Sequence, residues 1–345
     1  MSEKAGLRVV VTGATGNAGT SVVRALADDP RVGSVLGLSR RVPALDVAKV
    51  TWAVVDLSRG DDTFELGRLV DGADAVIHLA WQFQPTHDPA VTWQTNVIGS
   101  LRLFEAVAAA RVPVLVHASS VGAYAPGPKT GRGVSESWPT HGWPGAAYCR
   151  EKAYLERVLD TYERDHPQIR VVRMRPPFLF KETAASEQRR IFAGRFLPGP
   201  LIRPALVPFV PGLEGLRFQA LHTDDAARAY LQAVVLDARG AFNLAADPVL
   251  DAHTLGELLG ARVVRVPRRA VHTALSAAWG LRLVPASPQL FDAVLRLPLM
   301  DSARARDELD WRPLRTATEA MEEFLSGVRK GSGEATAPLV GRRVG

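Results

Sequence analysis

The chain has 345 residues, of which 47% are hydrophobic and 23% charged, with a formal net charge of +6 and a single cysteine, Cys149. That length favours a large domain carrying a smaller lobe, and the composition is that of an ordinary globular protein. An internal disulfide framework and a cysteine-cluster metal site are excluded, and no apolar run reaches the roughly 18 residues needed to span a bilayer, so any redox chemistry calls for a cofactor.

Residues 1–6 lead straight into an apolar run and lack the apolar core and cleavage site of a secretory signal, which makes the cytoplasm the expected compartment. The basic excess is dispersed except over 181–217. There Lys181, Arg189, Arg190, Arg195, Arg203 and Arg217 stand against Glu182, Glu187 and Glu214. A solvated surface is expected of that stretch, ahead of a site for an anionic substrate or a nucleic-acid groove. The expected partner is a small molecule, with neither nucleic acid nor membrane.

In chain order, β-rich runs at 7–11, 34–38, 51–55, 75–79, 112–117 and 169–174 alternate with helical patterns at 18–28, 64–69, 91–110 and 147–165. This is the pattern of βαβ units. Near-continuous apolar strands such as Val9-Val10-Val11 and Ala75-Val76-Ile77 suit a sheet covered on both faces. The expected fold is α/β, a doubly wound parallel sheet over 1–176. Beyond Pro176, proline and glycine cluster at Pro198-Gly199-Pro200, Pro204, Pro208 and Pro211-Gly212. A smaller substrate-binding lobe is expected over 177–330, with a late strand near 241–244 returning to the main sheet. Residues 331–345 are rich in Gly, Ala and Arg without periodicity and are expected to be disordered.

Gly13, Gly16 and Gly19 follow the first strand and open the first helix. At that spacing they suit a tight turn, close backbone approach to a pyrophosphate, and tight helix–strand contact, with the helix N-terminus facing the phosphates. Thr15, Asn17 and Ala18 belong to the same loop. The second strand ends in Ser39-Arg40-Arg41 with no carboxylate to accept from a ribose 2′-hydroxyl. Two guanidiniums there favour NADP(H), with NAD(H) still possible. Asp56, with Leu57, ends the third strand within reach of an adenine.

Tyr148 and Lys152 are four apart and share one helix face. A fixed ammonium beside the phenol is expected to lower its pKa and let it shuttle a proton. Upstream, Ser119 and Ser120 follow the strand at 112–117, at the carboxyl end where open α/β sheets bind ligands. With Thr12–Gly19, Asp56-Leu57, His78-Leu79-Ala80, Asn96-Val97-Ile98-Gly99-Ser100, Arg175-Pro176 and Leu221–Asp225, these residues make the chain resemble the extended short-chain dehydrogenase/reductase superfamily. Within it the resemblance is to the NAD-dependent epimerase/dehydratase group, over about residues 7–328. It implies a Rossmann fold, Ser120 on the reacting oxygen with Ser119 as the fallback, Tyr148 as acid/base, and Lys152 on the nicotinamide ribose. Leu79, Ala80, Asn96 and Pro176 would line the cofactor site. A homodimer through the helices at 91–110 and 147–165 is also implied, and Leu309–Pro313 looks like the group's closing motif.

The chain departs from the sugar-nucleotide members of that group. The asparagine common after their Arg-Pro strand is missing from Arg175-Pro176-Pro177-Phe178, and the arginine before His222 is one place early, at Arg217. Trp81, Phe83 and Phe178 could instead present aromatic walls to a less polar carbonyl or alcohol. Asp224 and Asp225 are read as helix caps and Cys149 as packing. His78, His87, His117 and His222 form no metal pattern and are each expected to satisfy local hydrogen bonds. Three functions remain: a reductase or dehydrogenase, a sugar-nucleotide epimerase or dehydratase, and a non-catalytic dinucleotide sensor.

Overall fold

A computed structural model describes residues 6–60, 63–194 and 208–341. The Pro-Gly cluster at 198–204, Arg195 and Arg203 lie outside the described residues.

The first part of the alternation is β1 (Leu7–Thr12), α1 (Asn17–Asp28), β2 (Val32–Ser39), β3 (Val50–Val54), α2 (Thr63–Val70) and β4 (Ala75–His78). It continues with α3 (Pro89–Trp93), a π-helical turn at Gln94–Ile98, α4 (Gly99–Ala109), β5 (Val114–Ala118), α5 (Ala147–Asp165) and β6 (Arg170–Arg175). The later chain supplies β7 (Phe178–Phe180), α6 (Ala185–Phe192), β8 (Phe209–Gly212), β9 (Arg217–His222), α7 (Thr223–Val235) and β10 (Gly240–Asn243). It ends with β11 (Ala246–Asp251), α8 (Ala252–Leu259), β12 (Arg262–Arg265), α9 (Arg268–Gly280), α10 (Pro288–Val294), α11 (Ala303–Glu308) and α12 (Ala317–Lys330).

Seven strands form one sheet in the order β10-β6-β5-β4-β1-β2-β3. Every neighbouring pair in it is parallel. Val9, Val10 and Val11 have no exposed surface because helices cover both sides of the sheet. On one side α1, α7, α11 and α12 share a core through Val22, Tyr230, Ala305 and Leu325; on the other, α2, α4 and α5 share Leu66, Leu103 and Leu155. β10 therefore brings a segment from beyond residue 177 back to the edge of the main sheet. A second sheet has the order β11-β9-β7, and its Ala220, Leu221 and Leu250 belong to the same core as Val9 and Val22. Parallel strands place the loops after β1, β2, β3, β4, β5 and β6 at one end of the sheet, and the site is there.

The single helix expected over 91–110 is interrupted at Gln94–Ile98. Gly99 packs so closely that a Cβ would lie 2.7 Å from the Leu57 carbonyl oxygen, and Asn96 turns inward to hold another loop. A π turn absorbs the shift between the two helical segments.

The expectation of a disordered tail fails for residues 331–341. Leu339 is fully buried, Thr336 Oγ1 donates to the Thr15 carbonyl at 2.9 Å, and Glu334 pairs with Arg24. Arg190 holds the carbonyls of Pro338 and Val340. Ending the chain at Gly331 is expected to cost about 2–4 kcal/mol, from the lost burial of Leu339 and at least one hydrogen bond. Thermal denaturation of the shortened chain measures it, and an unchanged Tm would contradict it.

Candidate active site

Gly13 has a φ of +66°, in the left-handed region that favours glycine, and a Cβ on Gly19 would fall 2.1 Å from the Gly13 carbonyl oxygen. The loop can close onto α1 only with both glycines. Gly16 caps α1 without a side-chain hydrogen bond, so the N–H groups of the first turn remain available to an anion. The loop thus fits a dinucleotide pyrophosphate. Asn17 ties it to β7 and α7, donating to the Leu179 carbonyl at 3.1 Å and accepting from Thr223 Oγ1 at 3.0 Å.

One cleft of about 1070 Å³ runs from this loop to Tyr148. Gly13, Thr15, Gly16, Asn17, Ala18 and Gly19 line one end, with Ser39, Arg40, Arg41, Asp56 and Leu57. Leu79, Ala80, Ser120, Tyr148, Lys152 and Pro176 line the middle, and Trp81, Phe83 and Phe178 the other end. Arg40 and Arg41 are exposed at the rim. Asp56 accepts from the backbone and hydroxyl of Ser58, which fixes its carboxylate at the end of β3.

Asn96 is the exception, since it is buried behind the cleft and does not line it. Its amide accepts from Gln82 N at 2.7 Å and donates to Gln82 O and to Glu151. That clamp sets the loop after β4, which carries Trp81 and Phe83, against α5.

The two serines separate by partner. Ser119 Oγ donates to Glu156 at 2.5 Å, and Glu156 is locked by Arg175 and Arg173. Burial pushes the Glu156 carboxyl up, but the two arginines outweigh it and hold it at about 2. Ser119 is therefore committed to the interior. Ser120 caps the short turn Val121–Ala123 by accepting from Gly122 N, and its hydroxyl and the Tyr148 ring both lie against Gly122.

Tyr148 and Lys152 lie at the start of α5, as the spacing predicts, but their electrostatics differ from expectation. Burial pushes the Tyr148 phenol above its ordinary pKa, and the neighbouring Ser120 hydroxyl only partly offsets this. Burial lowers Lys152 to about 7. Both side chains also meet Trp81. Lys152 Nζ sits 3.4 Å from the Trp81 ring centroid and donates to the Ala118 carbonyl at 2.6 Å, while Trp81 meets Tyr148 edge-on. The indole takes up the ammonium.

His78 bridges Thr12 and Ser100, and His222 meets Glu323 and Asp224 N. His117 departs from expectation: neither of its ring nitrogens has a partner among the described residues. Its burial holds it neutral. Asp224 accepts from Ser21 and Asp225 from Arg228 and the Arg315 backbone, so both serve the structure, although the cap of α7 is His222 itself. Cys149 is buried within the helix, which pushes its thiol up to about 12.

Sequence reasoning missed the wall facing Trp81 and Phe83. It comes from Ile191 and Phe192 of α6, Leu275 of α9, and Leu290, Phe291 and Val294 of α10. Ser287-Pro288, a capping hydroxyl followed by proline at the first helical position, was a usable signal for α10.

A doubly wound sheet with a glycine loop after its first strand and Ser120, Tyr148 and Lys152 along the same cleft defines a Rossmann-type dinucleotide-binding class. Within that class, the chain belongs to the NAD dependent epimerase/dehydratase family, whose description matches residues 9–245. A dTDP-6-deoxy-L-talose 4-dehydrogenase (NAD(P)(+)) of Kitasatospora kifunensis is 30% identical over 344 residues, covering 96% of this chain and 97% of that protein. Sterol demethylase protein B of Methylococcus capsulatus is 32% identical over 154 residues, 44% of this chain and 45% of that protein. The UDP-glucose 4-epimerase of Thermotoga maritima, solved with UDP-glucose, has the same fold, with a TM-score of 0.69 at 19% identity over 94% of this chain and 99% of that one.

Proposed function

We propose that the chain is an oxidoreductase that moves a hydride between a nicotinamide dinucleotide and a carbonyl or alcohol carbon, with Tyr148 as the acid/base. The observation that carries this reading is the placement of Tyr148 and Ser120 together, both against Gly122, in the same cleft as the glycine loop. When bound, the nicotinamide supplies or accepts the hydride. In the reducing direction Ser120 holds the substrate oxygen and Tyr148 gives it a proton. Lys152, released from Trp81 and Ala118, reaches the nicotinamide ribose and favours the phenolate left behind. Gly13, Gly16 and Gly19 seat the pyrophosphate, and Leu79, Ala80 and Pro176 flank the nicotinamide end.

NADP(H) is the favoured cofactor on the strength of Arg40 and Arg41 at the end of β2. Replacing both with alanine is expected to weaken NADPH binding by about 10- to 100-fold, at 1.5–3 kcal/mol for hydrogen bonds to a charged group. NADH affinity should not change. Equal losses for both dinucleotides in calorimetric titrations would remove the 2′-phosphate assignment.

The dehydrogenase relative, whose name includes NAD(P)(+), supports a net redox reaction. The epimerase fold neighbour supports the second reading, an epimerase or dehydratase with no net change in cofactor. Stoichiometric consumption of NADPH with a carbonyl substrate separates the two. A sensor has no use for the Ser120–Tyr148 relay. For assembly, Val91, Trp93 and Tyr154 give α3 and α5 an exposed apolar face, which suits a homodimer.

A further inference from the structure

We infer that the substrate is an uncharged ketone or alcohol on a bulky hydrocarbon frame, and not a nucleotide sugar; this rests on the hydride-transfer reading above and specifies its substrate. Three observations about the Tyr148 end of the cleft carry it.

The walls there are hydrocarbon. Phe83 stacks on Tyr148 with ring centroids 5.2 Å apart at 15°, and meets Phe192 edge-on at 5.9 Å. Leu275, Leu290 and Phe291 face them from α9 and α10. A flat or branched apolar body between these walls gains from leaving water along its whole length.

Cations are scarce. Among the described residues the only basic side chains lining the whole cleft are Arg40, Arg41 and Lys152. The two arginines stand at the far end, beside β2, and Lys152 is engaged by Trp81 and Ala118. A diphosphate placed at the Tyr148 end would meet no guanidinium from the described residues of the lining, which is unfavourable in a partly desolvated site.

The polar groups of this half are mostly spent on the protein itself. Gln82 donates to Gln84 O, Gln84 donates to the Ile191 and Pro285 carbonyls, Thr95 donates to Gln82, and Ser287 caps α10. Among the described residues lining this half, that leaves the hydroxyls of Ser120 and Tyr148 to meet a substrate oxygen. Two hydroxyls suit a molecule with one or two oxygen functions. They do not suit a ring of sugar hydroxyls, each of which would lose its water without replacement.

The test is calorimetric titration of the dinucleotide-saturated protein with androst-4-ene-3,17-dione, 2-dodecanone and UDP-glucose. At least one of the two ketones is expected to bind 100-fold or more tightly than UDP-glucose. Leu290→Glu is expected to weaken that ketone at least tenfold while cofactor affinity stays within twofold, which shows that the variant is folded. If the variant no longer binds the cofactor, the ranking of the three ligands on the unaltered protein decides alone. Tighter binding of UDP-glucose, or binding of neither ketone, overturns the proposal. A ketone that binds but is not reduced leaves the substrate class standing and removes the hydride-transfer reading instead.

Discussion

Tyr148→Phe is expected to lower carbonyl reduction by about 10²–10⁴-fold, the usual contribution of a positioned proton donor, with cofactor affinity changed by no more than about twofold. The phenol is the group in the cleft suited to donate that proton, because it lies beside Ser120 and burial keeps it protonated at neutral pH. Phenylalanine keeps the ring that Phe83 stacks upon and Trp81 meets edge-on, so the wall survives while the proton is lost. A loss confined to kcat, with KM little changed, is the pattern of an interaction made in the transition state alone. Steady-state kinetics on any accepted ketone measure it. Turnover equal to that of the parent would mean that another group carries the proton.

The sequence signals for this site were strong where they were local. Consecutive apolar residues such as Val9-Val10-Val11 can be satisfied only by a strand covered on both faces, and β1 forms within a residue of its expected limits. The glycine spacing was legible because a Cβ at Gly19 has nowhere to go. Long-range features were not legible. Asn96 sits in a motif that marks the cofactor site, yet its side chain is used by Gln82 and Glu151, a choice made by the loop after β4. Ser119 and Ser120 are equivalent in sequence until Glu156, 37 residues on, claims the first. The spacing of Tyr148 and Lys152 suggested an ammonium acting on a phenol, but it carries no information about the indole of Trp81 that takes up that ammonium. α9 buries none of its residues, so it has no fully buried stripe, and the wall role of Leu275 follows from its placement alone. The tail is ordered by contacts to Thr15, Arg24 and Arg190, which lie 148 to 321 residues earlier in the chain.

Lys152→Met is expected to abolish turnover and at the same time to stabilise the cofactor-free protein by about 1–3 kcal/mol near pH 7. Lys152 is 4% exposed, and burial lowers it from 10.5 to about 7, against the pull of Glu151 and Glu156. At about 1.4 kcal/mol per pKa unit, an ammonium so placed costs the folded state several kcal/mol. Its hydrogen bond to Ala118 O and its contact with Trp81 return part of that, and leaving Ala118 O unpaired costs about 1–3 kcal/mol, which is why the expected gain is only the difference. The sign follows from linkage. Between about pH 7 and 10.5 the unfolded chain holds a proton on this lysine that the folded chain has released, so stability rises with pH across that window, and the penalty is fully expressed below it. Lys129 and Lys181, which burial lowers to about 8, contribute slopes of the same sign, so methionine removes only one share. Denaturant unfolding at pH 7 and pH 9.5 should therefore show a smaller difference for the variant than for the parent, with the variant ahead at pH 7. A variant less stable than the parent at pH 7, or with an undiminished pH difference, would mean that the buried ammonium is not under strain. A variant more stable than the parent at pH 7 but inactive identifies Lys152 as a residue retained for the reaction at a cost to the fold, the expected mark of a functional group in a buried site.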